Sequence, residues 1–93
     1  MENVKTNYSA EMDKLAAGLT EKGIPFTYKP LFDGVQIRCS DWDAACHRFS
    51  YGHEKGLLEI MGSIVQPADE DVEGWLTAEE ILARLQALEE EDE

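Results

Sequence analysis

The chain has 93 residues, of which 43% are hydrophobic, and a formal net charge of −12. This length leaves room for one compact domain, residues 1–93, and excludes a second core. The hydrophobic fraction is close to that of ordinary globular proteins, which excludes a wholly disordered chain. The charge opposes binding to phosphate backbones, because such binding depends on Lys and Arg. Direct nucleic-acid binding is therefore not expected.

No apolar run approaches the roughly 18 to 20 residues that span a bilayer. The start of the chain lacks the basic-then-apolar order of a signal peptide. Two cysteines, Cys39 and Cys46, are too few for the disulfide framework of a small secreted domain. The sequence thus predicts a soluble, cytoplasmic protein with free thiols and no membrane contact.

The N-terminal part of the chain has helical periodicity. Ser9 is a candidate N-cap, Gly23 is a candidate stop, and Lys22 lies in the last turn, where a cation suits the helix dipole. The apolar positions between them recur at helical spacing. These features predict a first helix over residues 9–22.

The next segment has an apolar period of two, and Asp33-Gly34 within it is a strong signal for a hairpin turn. Closing the hairpin on that turn places Phe32 opposite Val35 and Tyr28 opposite Cys39. Both apolar sets then lie on one face of the sheet. The sequence therefore predicts two antiparallel strands that share an apolar face.

A second turn at Ser40-Asp41 predicts a third strand, whose apolar residues alternate: Trp42, Ala44 and Cys46. The opposite sheet face then carries polar side chains: Gln36, Arg38, Asp43 and His47. Arg38 lies directly across from Asp43 in this register. Pro25 and Pro30 cannot donate to a ladder, which places the first strand at the sheet edge.

Residues 53–61 predict a short second helix, because apolar residues recur there at helical intervals before Gly62. The alternative is a strand over residues 57–61, since so brief an apolar run fits both. Residues 66–74 are polar and acidic, which predicts a loop.

The last helix is predicted over residues 77–89. Thr77 opens a capping box with Glu80, and an apolar stripe follows it. Residues 89–93 are an unbroken acidic run, and anions do not suit a helix C-terminus. We expect that tail to fray.

Together these elements predict an α+β fold with an N-terminal helix, a three-stranded antiparallel meander and two C-terminal helices. The helices are expected to cover one face of the sheet. That face carries the expected core residues: Phe26, Tyr28, Val35, Ile37, Trp42 and Ala44.

Metal binding is the first chemistry that the residues suggest, because two cysteines and two histidines occur within a short span. Their spacing fits none of the familiar zinc patterns. In the proposed register Cys46 lies about four residues along the strands from Cys39, or roughly 13 Å. No single metal ion or disulfide bridges that distance. The sequence predicts no metal and no cofactor.

Catalysis has no clear site in this sequence. Cys46 and His47 are adjacent on a strand and point to opposite faces, so they cannot form a nucleophile and base pair. Asp41 and Asp43 are explained by a turn and by pairing with Arg38. No phosphate-binding glycine loop or nucleophile elbow is present. We predict no catalytic residues and no enzymatic activity.

Most of the aromatic residues occupy positions assigned to the core. Tyr51 and Trp75 are exceptions, since each lies in a polar, glycine-containing segment. A large ring in such a segment is either a lid on the core or an anchor for a binding partner.

The negative charge is concentrated in the C-terminal third. Residues 1–65 hold nine acidic and seven basic residues, a net charge of −2, whereas residues 66–93 hold eleven acidic residues and one basic residue, a net charge of −10. This acidic third is a solvated face, a docking site for a basic protein, or a mimic of nucleic-acid charge. The candidate binding residues surround Trp75: Asp69, Glu70, Asp71, Glu73, Trp75, Glu79 and Glu80.

Several motifs carry a resemblance: Phe26-Thr27-Tyr28-Lys29, Val35-Gln36-Ile37, Trp42-Asp43-Ala44-Ala45-Cys46-His47, Ser50-Tyr51-Gly52-His53-Glu54 and Gly56-Leu57-Leu58-Glu59-Ile60-Met61-Gly62. On these motifs the chain resembles small uncharacterised proteins encoded in prophages and other mobile elements of gut bacteria. The resemblance carries no established activity; it implies that phage and host interference is a class of function to consider, and it adds weight to the nucleic-acid mimic. It transfers no catalytic or binding residue.

The sequence therefore predicts a non-enzymatic, acidic, phage-associated protein-binding module. Its expected partner is a basic protein surface, of which a nucleic-acid-binding enzyme is one example. The alternative is a nucleic-acid-mimicking inhibitor of a phage-defence enzyme, such as a restriction or CRISPR system, or of a DNA-processing enzyme. A small hydrolase or metal-binding protein is a weaker alternative.

Overall fold

The computed structural model describes residues 7–66 and 71–91. Within them the fold is α+β, with two α-helices and a five-stranded antiparallel sheet in the order β1-β2-β3-β4-β5. The elements follow the chain as α1 (Ala10–Lys22), β1 (Thr27–Leu31), β2 (Gly34–Arg38), β3 (Trp42–Cys46), a 3-10 turn (His53–Lys55), β4 (Leu58–Gly62), β5 (Val72–Leu76) and α2 (Ala78–Glu91). The sheet is thus a complete meander with one helix at each end of the chain.

The two helices contact each other, and α1 packs on the sheet. Helices and sheet bury a single apolar cluster, whose fully buried members include Met12, Leu15, Leu19, Ile37, Leu58, Ile60 and Ile81. Of the expected core residues, Ile37, Trp42 and Ala44 are buried. Phe26 and Val35 are half-buried at the margin, and Tyr28 is more exposed but donates a hydrogen bond to Asp13 of α1 (2.5 Å). The predicted core face is therefore the one that the helices cover.

Most of the predicted helix-end signals are found in the structure. Gly23 adopts a left-handed conformation (φ 73°) and ends α1 as predicted. Ser9 lies at the start of α1, but its side chain makes no capping hydrogen bond there. The predicted capping box of α2 is present: the Glu80 N–H donates to Thr77 Oγ1 (3.1 Å), and the Thr77 N–H donates to Glu80 Oε1 (2.8 Å).

The start of α2 also receives a carboxylate from α1. Glu11 Oε1 accepts a hydrogen bond from the Ala78 N–H at 2.8 Å, and this bond holds the pKa of Glu11 below its ordinary value. The first N–H groups of a helix have no partner within the helix, so a side chain from a neighbouring element can satisfy them. The Glu11 side chain therefore links α1 to the first turn of α2.

Removing the Thr77 hydroxyl is expected to lower the free energy of unfolding by about 1 kcal/mol, the usual cost of losing an N-cap. Chemical denaturation of Thr77→Ala would measure this loss. Thr77→Ser keeps the hydroxyl and serves as the control. Equal stability of all three proteins would show that the cap contributes nothing.

The predicted second helix over residues 53–61 is wrong. Only His53–Lys55 forms a short 3-10 turn, and Leu58–Gly62 is strand β4, as the alternative had it. Leu58 and Ile60 are buried under the helices, whereas Met61 is exposed on the other face. This period of two explains the strand, since it sends alternate side chains to opposite faces.

The predicted loop over residues 66–74 is also wrong in its second half, because β5 begins at Val72. The prediction failed because β5 lacks simple alternation. Its inward position holds the charged Glu73, and a β-bulge interrupts the pairing with β4 between Leu58 and Ile60. The fold is therefore a five-stranded meander with one C-terminal helix, in place of three strands and two C-terminal helices.

The first hairpin closes on Phe32-Asp33, not on Asp33-Gly34. Leu31 pairs with Gly34, and Tyr28 pairs with Ile37. This moves the pairing by two residues, which keeps each side chain on its predicted face. Gly34 lies in the strand because β3 passes close to it: a Cβ there would lie 1.9 Å from the Cys46 carbonyl oxygen.

The second hairpin is as predicted. Val35 pairs with Cys46, and Arg38 pairs with Asp43, whose carboxylate accepts a hydrogen bond from Gln36 Nε2 (2.9 Å). The register on which the separation of the two cysteines rests is therefore confirmed. Both thiols are free, and burial raises the pKa of Cys46 to about 11. That the thiols stay unbridged in the native protein remains a prediction.

Both edges of the sheet are poorly suited to pairing with another strand. Pro30 lies in β1, which is an edge strand as predicted, and proline has no N–H to donate. The other edge strand, β5, carries the bulge. Prolines and bulges at edges oppose strand addition.

Neither helix in the described part of the chain is long and apolar enough to cross a membrane. At the C-terminus, α2 continues through Glu89 and Glu90 to Glu91. The first three residues of the tail, 89–91, are thus helical, and the fraying expected for residues 89–93 stays a prediction. Residues 92 and 93 lie outside the described residues.

Candidate binding surface

The segment between β3 and β4 folds on itself over residues 47–56. The buried Ser50 side chain closes its first turn, accepting from the His47 N–H (3.0 Å) and donating to the His47 carbonyl oxygen (2.9 Å). Gly52 and Gly56 both adopt left-handed conformations, with φ of 96° and 71°, which glycine does without steric cost. The segment is therefore a compact loop, with Phe49 and Tyr51 on either side of Ser50.

Four aromatic side chains are more than half exposed around this loop. We call them the aromatic surface: Phe32, Phe49, Tyr51 and Trp75, with exposed fractions of 63%, 64%, 53% and 56%. They form two pairs. Phe32 and Phe49 meet edge to face with ring centroids 5.1 Å apart, and Tyr51 stacks on Trp75 at 5.4 Å with an interplanar angle of 15°.

The same loop carries one ring of each pair, Phe49 and Tyr51. Phe49 and Tyr51 are two residues apart, which limits the separation of their Cα atoms to about 7 Å. Such a group of exposed rings is unusual on a small monomeric domain and is typical of a site that binds another molecule.

Two residues of this surface have strained backbone conformations. Among non-glycine residues in the described ranges, only Phe32 (φ 55°) and Trp75 (φ 57°) have positive φ. A bulky side chain in that region is a steric outlier, and each such residue costs on the order of 1 to 3 kcal/mol. Phe32 occupies the β1–β2 turn, and Trp75 lies at the bulge of β5. The two exposed rings are thus held in conformations that lower the stability of the fold.

The loop and the bulge fit together through two glycines. A Cβ on Gly74 would lie 2.4 Å from the Tyr51 Cβ, and one on Gly52 would lie 2.9 Å from the Trp75 nitrogen. The Trp75 N–H also donates to the Tyr51 carbonyl oxygen at 3.3 Å. This close backbone approach holds the Tyr51–Trp75 stack in place.

Two carboxylates fix the loop from either side. Asp33 Oδ1 accepts a hydrogen bond from the Arg48 N–H (3.0 Å), and this bond holds the pKa of Asp33 below its ordinary value. Glu59 Oε1 accepts a hydrogen bond from the Tyr51 N–H (2.7 Å). Each aromatic pair therefore has a carboxylate beside it, and each carboxylate accepts a hydrogen bond from a backbone N–H of this loop.

His47 lies beneath the Phe32–Phe49 pair. It is only 7% exposed, its ring contacts Phe32 edge to face at 4.9 Å, and its Nδ1 accepts a hydrogen bond from the Phe49 N–H (3.1 Å). Because Nδ1 accepts, the proton of the neutral ring is on Nε2. Burial lowers the pKa of His47, since it disfavours the charged ring.

Acid is therefore expected to destabilise the protein through His47. The unfolded chain binds this proton near pH 6.5. The native state binds it only at lower pH, so the contribution is complete above about pH 6.5 and is lost as pH falls below it. Denaturation at pH 7.5 and 5.5 would measure the loss. His47→Asn should remove the dependence, whereas His53→Gln should retain it. An unchanged dependence in His47→Asn would contradict the assignment.

The residues predicted around Trp75 have several different environments. Asp69 and Glu70 lie outside the described residues, and Asp71 and Glu79 are exposed. Glu73 faces α2 and forms a two-pronged ion pair with Arg84, whose hydrogen bonds to the carboxylate lower the pKa of Glu73. Glu80 belongs to the helix cap. Trp75 itself is exposed, and its immediate neighbour is Tyr51.

Sequence reasoning missed Phe32 and Phe49, which it assigned to the core or left in a loop. For Phe32 the wrong hairpin register hid the exposure, since that register paired it with Val35. For Phe49 a signal was available: aromatic residues alternate with small ones through Phe49-Ser50-Tyr51-Gly52. Tyr51 was recognised as either a lid or an anchor, and the structure places it on the surface.

The arrangement offers ring faces and charges for recognition. Within the described residues, no group of three or more His, Cys, Asp or Glu side chains could hold a metal ion. A cavity of about 390 Å³ lies at the opposite end of β2, near the β2–β3 turn. Its walls are largely apolar, from residues such as Ile24, Phe26 and Trp42, and Arg38 is their one charged residue.

Comparison of the whole chain with protein-family models, with curated proteins and with solved structures finds no match.

Proposed function

We propose that this chain is a non-enzymatic, acidic protein-binding module that contacts its partner through the aromatic surface. The observation that carries the proposal is the coincidence of strain and exposure at Phe32 and Trp75. Stability alone favours neither an exposed large ring nor a left-handed bulky residue. Strained conformations that persist in a fold cluster at binding and switch sites, and exposed aromatic residues are the side chains most enriched at binding hot spots.

The partner is a protein with a basic surface. The net charge of −12 attracts such a surface and repels nucleic acid. Exposed carboxylates such as Asp71 and Glu79 steer the encounter, and the aromatic surface makes the close contact. The resemblance to mobile-element proteins extends the proposal to partners that take part in phage and host interference.

The test is affinity capture from bacterial lysate, followed by measurement of the purified pair. We expect a basic partner whose affinity falls when the salt concentration rises, because exposed charges are screened within about 8 Å at 0.15 M. Asp71→Asn with Glu79→Gln should weaken the same complex. Glu73 is unsuitable for this test, since neutralising it breaks the ion pair with Arg84.

The same pair distinguishes a docking module from a nucleic-acid mimic. A mimic occupies the partner's nucleic-acid site, so DNA or RNA should compete with it for the partner. A docking module leaves that site open, and competition should be absent. A complex that is indifferent both to salt and to the charge variants would contradict an electrostatic role for the acidic residues.

A further inference from the structure

The two halves of the aromatic surface differ in their electrostatic surroundings. The Arg48 guanidinium carbon lies 4.9 Å from the centre of the Phe49 ring, so a cation of the chain itself already covers that half. Within the described residues no other arginine or lysine lies over an aromatic ring. The Tyr51–Trp75 stack therefore has ring faces that a cation from outside can approach.

A negative charge lies beside that stack. Glu59 is half-buried and is fixed to the Tyr51 backbone by its hydrogen bond. The ion pairs of the described residues use Glu11 and Glu73, not Glu59. A cation placed over the stack would thus meet both the negative faces of the rings and a carboxylate that forms no ion pair with the lysine and arginine residues of the described ranges.

From this geometry we infer that the Tyr51–Trp75 stack, with Glu59, is a subsite for an arginine side chain of the basic partner; the inference rests on the proposed function. A guanidinium is planar and weakly hydrated, so it stacks on an aromatic face while its N–H groups bond a carboxylate. A lysine ammonium is compact and strongly hydrated, and it gains less from a flat surface.

The probe is a set of three peptides of equal length: tetra-arginine, tetra-lysine and tetra-citrulline. Titration followed by the indole N–H resonance of Trp75 reports binding at the stack, and the buried Trp42 supplies an internal reference. We expect tetra-arginine to shift the Trp75 resonance and to bind roughly three- to fivefold more tightly than tetra-lysine. Tetra-citrulline, which has the same shape without charge, should not bind.

Three variants define the subsite. Trp75→Gly should abolish the preference for arginine over lysine; because this variant lacks the reporting indole N–H, its peptide affinities are measured by isothermal titration, with the original protein measured in the same way. Glu59→Gln removes the charge but can still accept the Tyr51 hydrogen bond, so it should weaken tetra-arginine binding with the loop intact. Glu21→Gln removes an exposed charge of α1, an element that carries neither ring of the stack, and should change the preference for arginine by little.

Equal binding of the arginine and lysine peptides, or a preference that survives in Trp75→Gly, would overturn the inference. The proposed function fails separately. If Trp75→Gly weakens the captured partner while the peptides show no preference, the surface binds the partner through a group other than arginine. If the peptides behave as expected while the partner is unaffected by Trp75→Gly, the proposed function falls.

Discussion

Trp75→Gly is expected to weaken binding of the captured partner by at least roughly 30-fold, the effect of losing a hot-spot residue. The free energy of unfolding should stay within about 1 kcal/mol of its original value. Glycine relieves the left-handed strain at φ 57°, and this gain offsets the lost stacking on Tyr51. Binding and stability are thus expected to separate, as they do when a site is maintained at the expense of stability. Isothermal titration and chemical denaturation of the same preparation measure both quantities.

Two further variants make this result specific. Trp75→Phe keeps an aromatic ring and the strained backbone, so it should retain most of the affinity. Met61→Ala removes another exposed apolar side chain, 46% exposed on the open sheet face, and should leave both quantities nearly unchanged. If Trp75→Gly instead lowers stability by several kcal/mol, the ring is a structural lid. If it leaves binding intact, the partner binds elsewhere.

Charge and aromatic residues are distributed differently over the fold. The exposed carboxylates of α2, such as Glu79, Glu89 and Glu90, lie on the helical layer, and no basic residue lies in the last turn of that helix. The aromatic surface lies where the β1–β2 turn, the loop over residues 47–56 and the bulge of β5 meet. Under the proposed function, long-range attraction and close contact would therefore be supplied by different elements, and each could be altered without the other.

The helices and the first three strands could be predicted because local signals agreed with the final packing. Gly23 ends α1, Thr77 and Glu80 cap α2, and the alternation in β2 and β3 fixes which face is buried. In each case the residue type favours its local conformation independently of contacts that are remote in sequence. The face assignments survived even the wrong hairpin turn, because the error was an even number of residues.

The remaining elements depend on contacts that are remote in sequence. Glu73 reads as a loop residue until Arg84, eleven positions later, neutralises it. The strand β4 is recognisable only when β3 and β5 lie on either side of it, since its apolar run is too short to fix its own conformation. Both Trp75 and Tyr51 were singled out from the sequence. Their stacking could not be predicted, because it depends on the bulge that brings β5 against the loop.

Gly34→Ala is expected to be strongly destabilising. The new Cβ would lie 1.9 Å from the Cys46 carbonyl oxygen and 2.8 Å from the His47 Cα, both of which are backbone atoms of β3. Backbone atoms cannot move aside as a flexible side chain can, so β2 and β3 must separate. We expect a loss of stability of about 3 kcal/mol or more, at or above the usual range for overpacking.

Gly23→Ala is the matched control. Gly23 has φ of 73°, and nothing lies within 4 Å of an added Cβ there, so alanine brings left-handed strain without a clash. That strain costs roughly 1 to 2 kcal/mol. Denaturation of the two variants also decides between the two hairpin registers. A turn on Asp33-Gly34 would make Gly34→Ala no worse than Gly23→Ala, whereas a turn on Phe32-Asp33 makes it clearly worse, because Gly34 then lies within the sheet against β3.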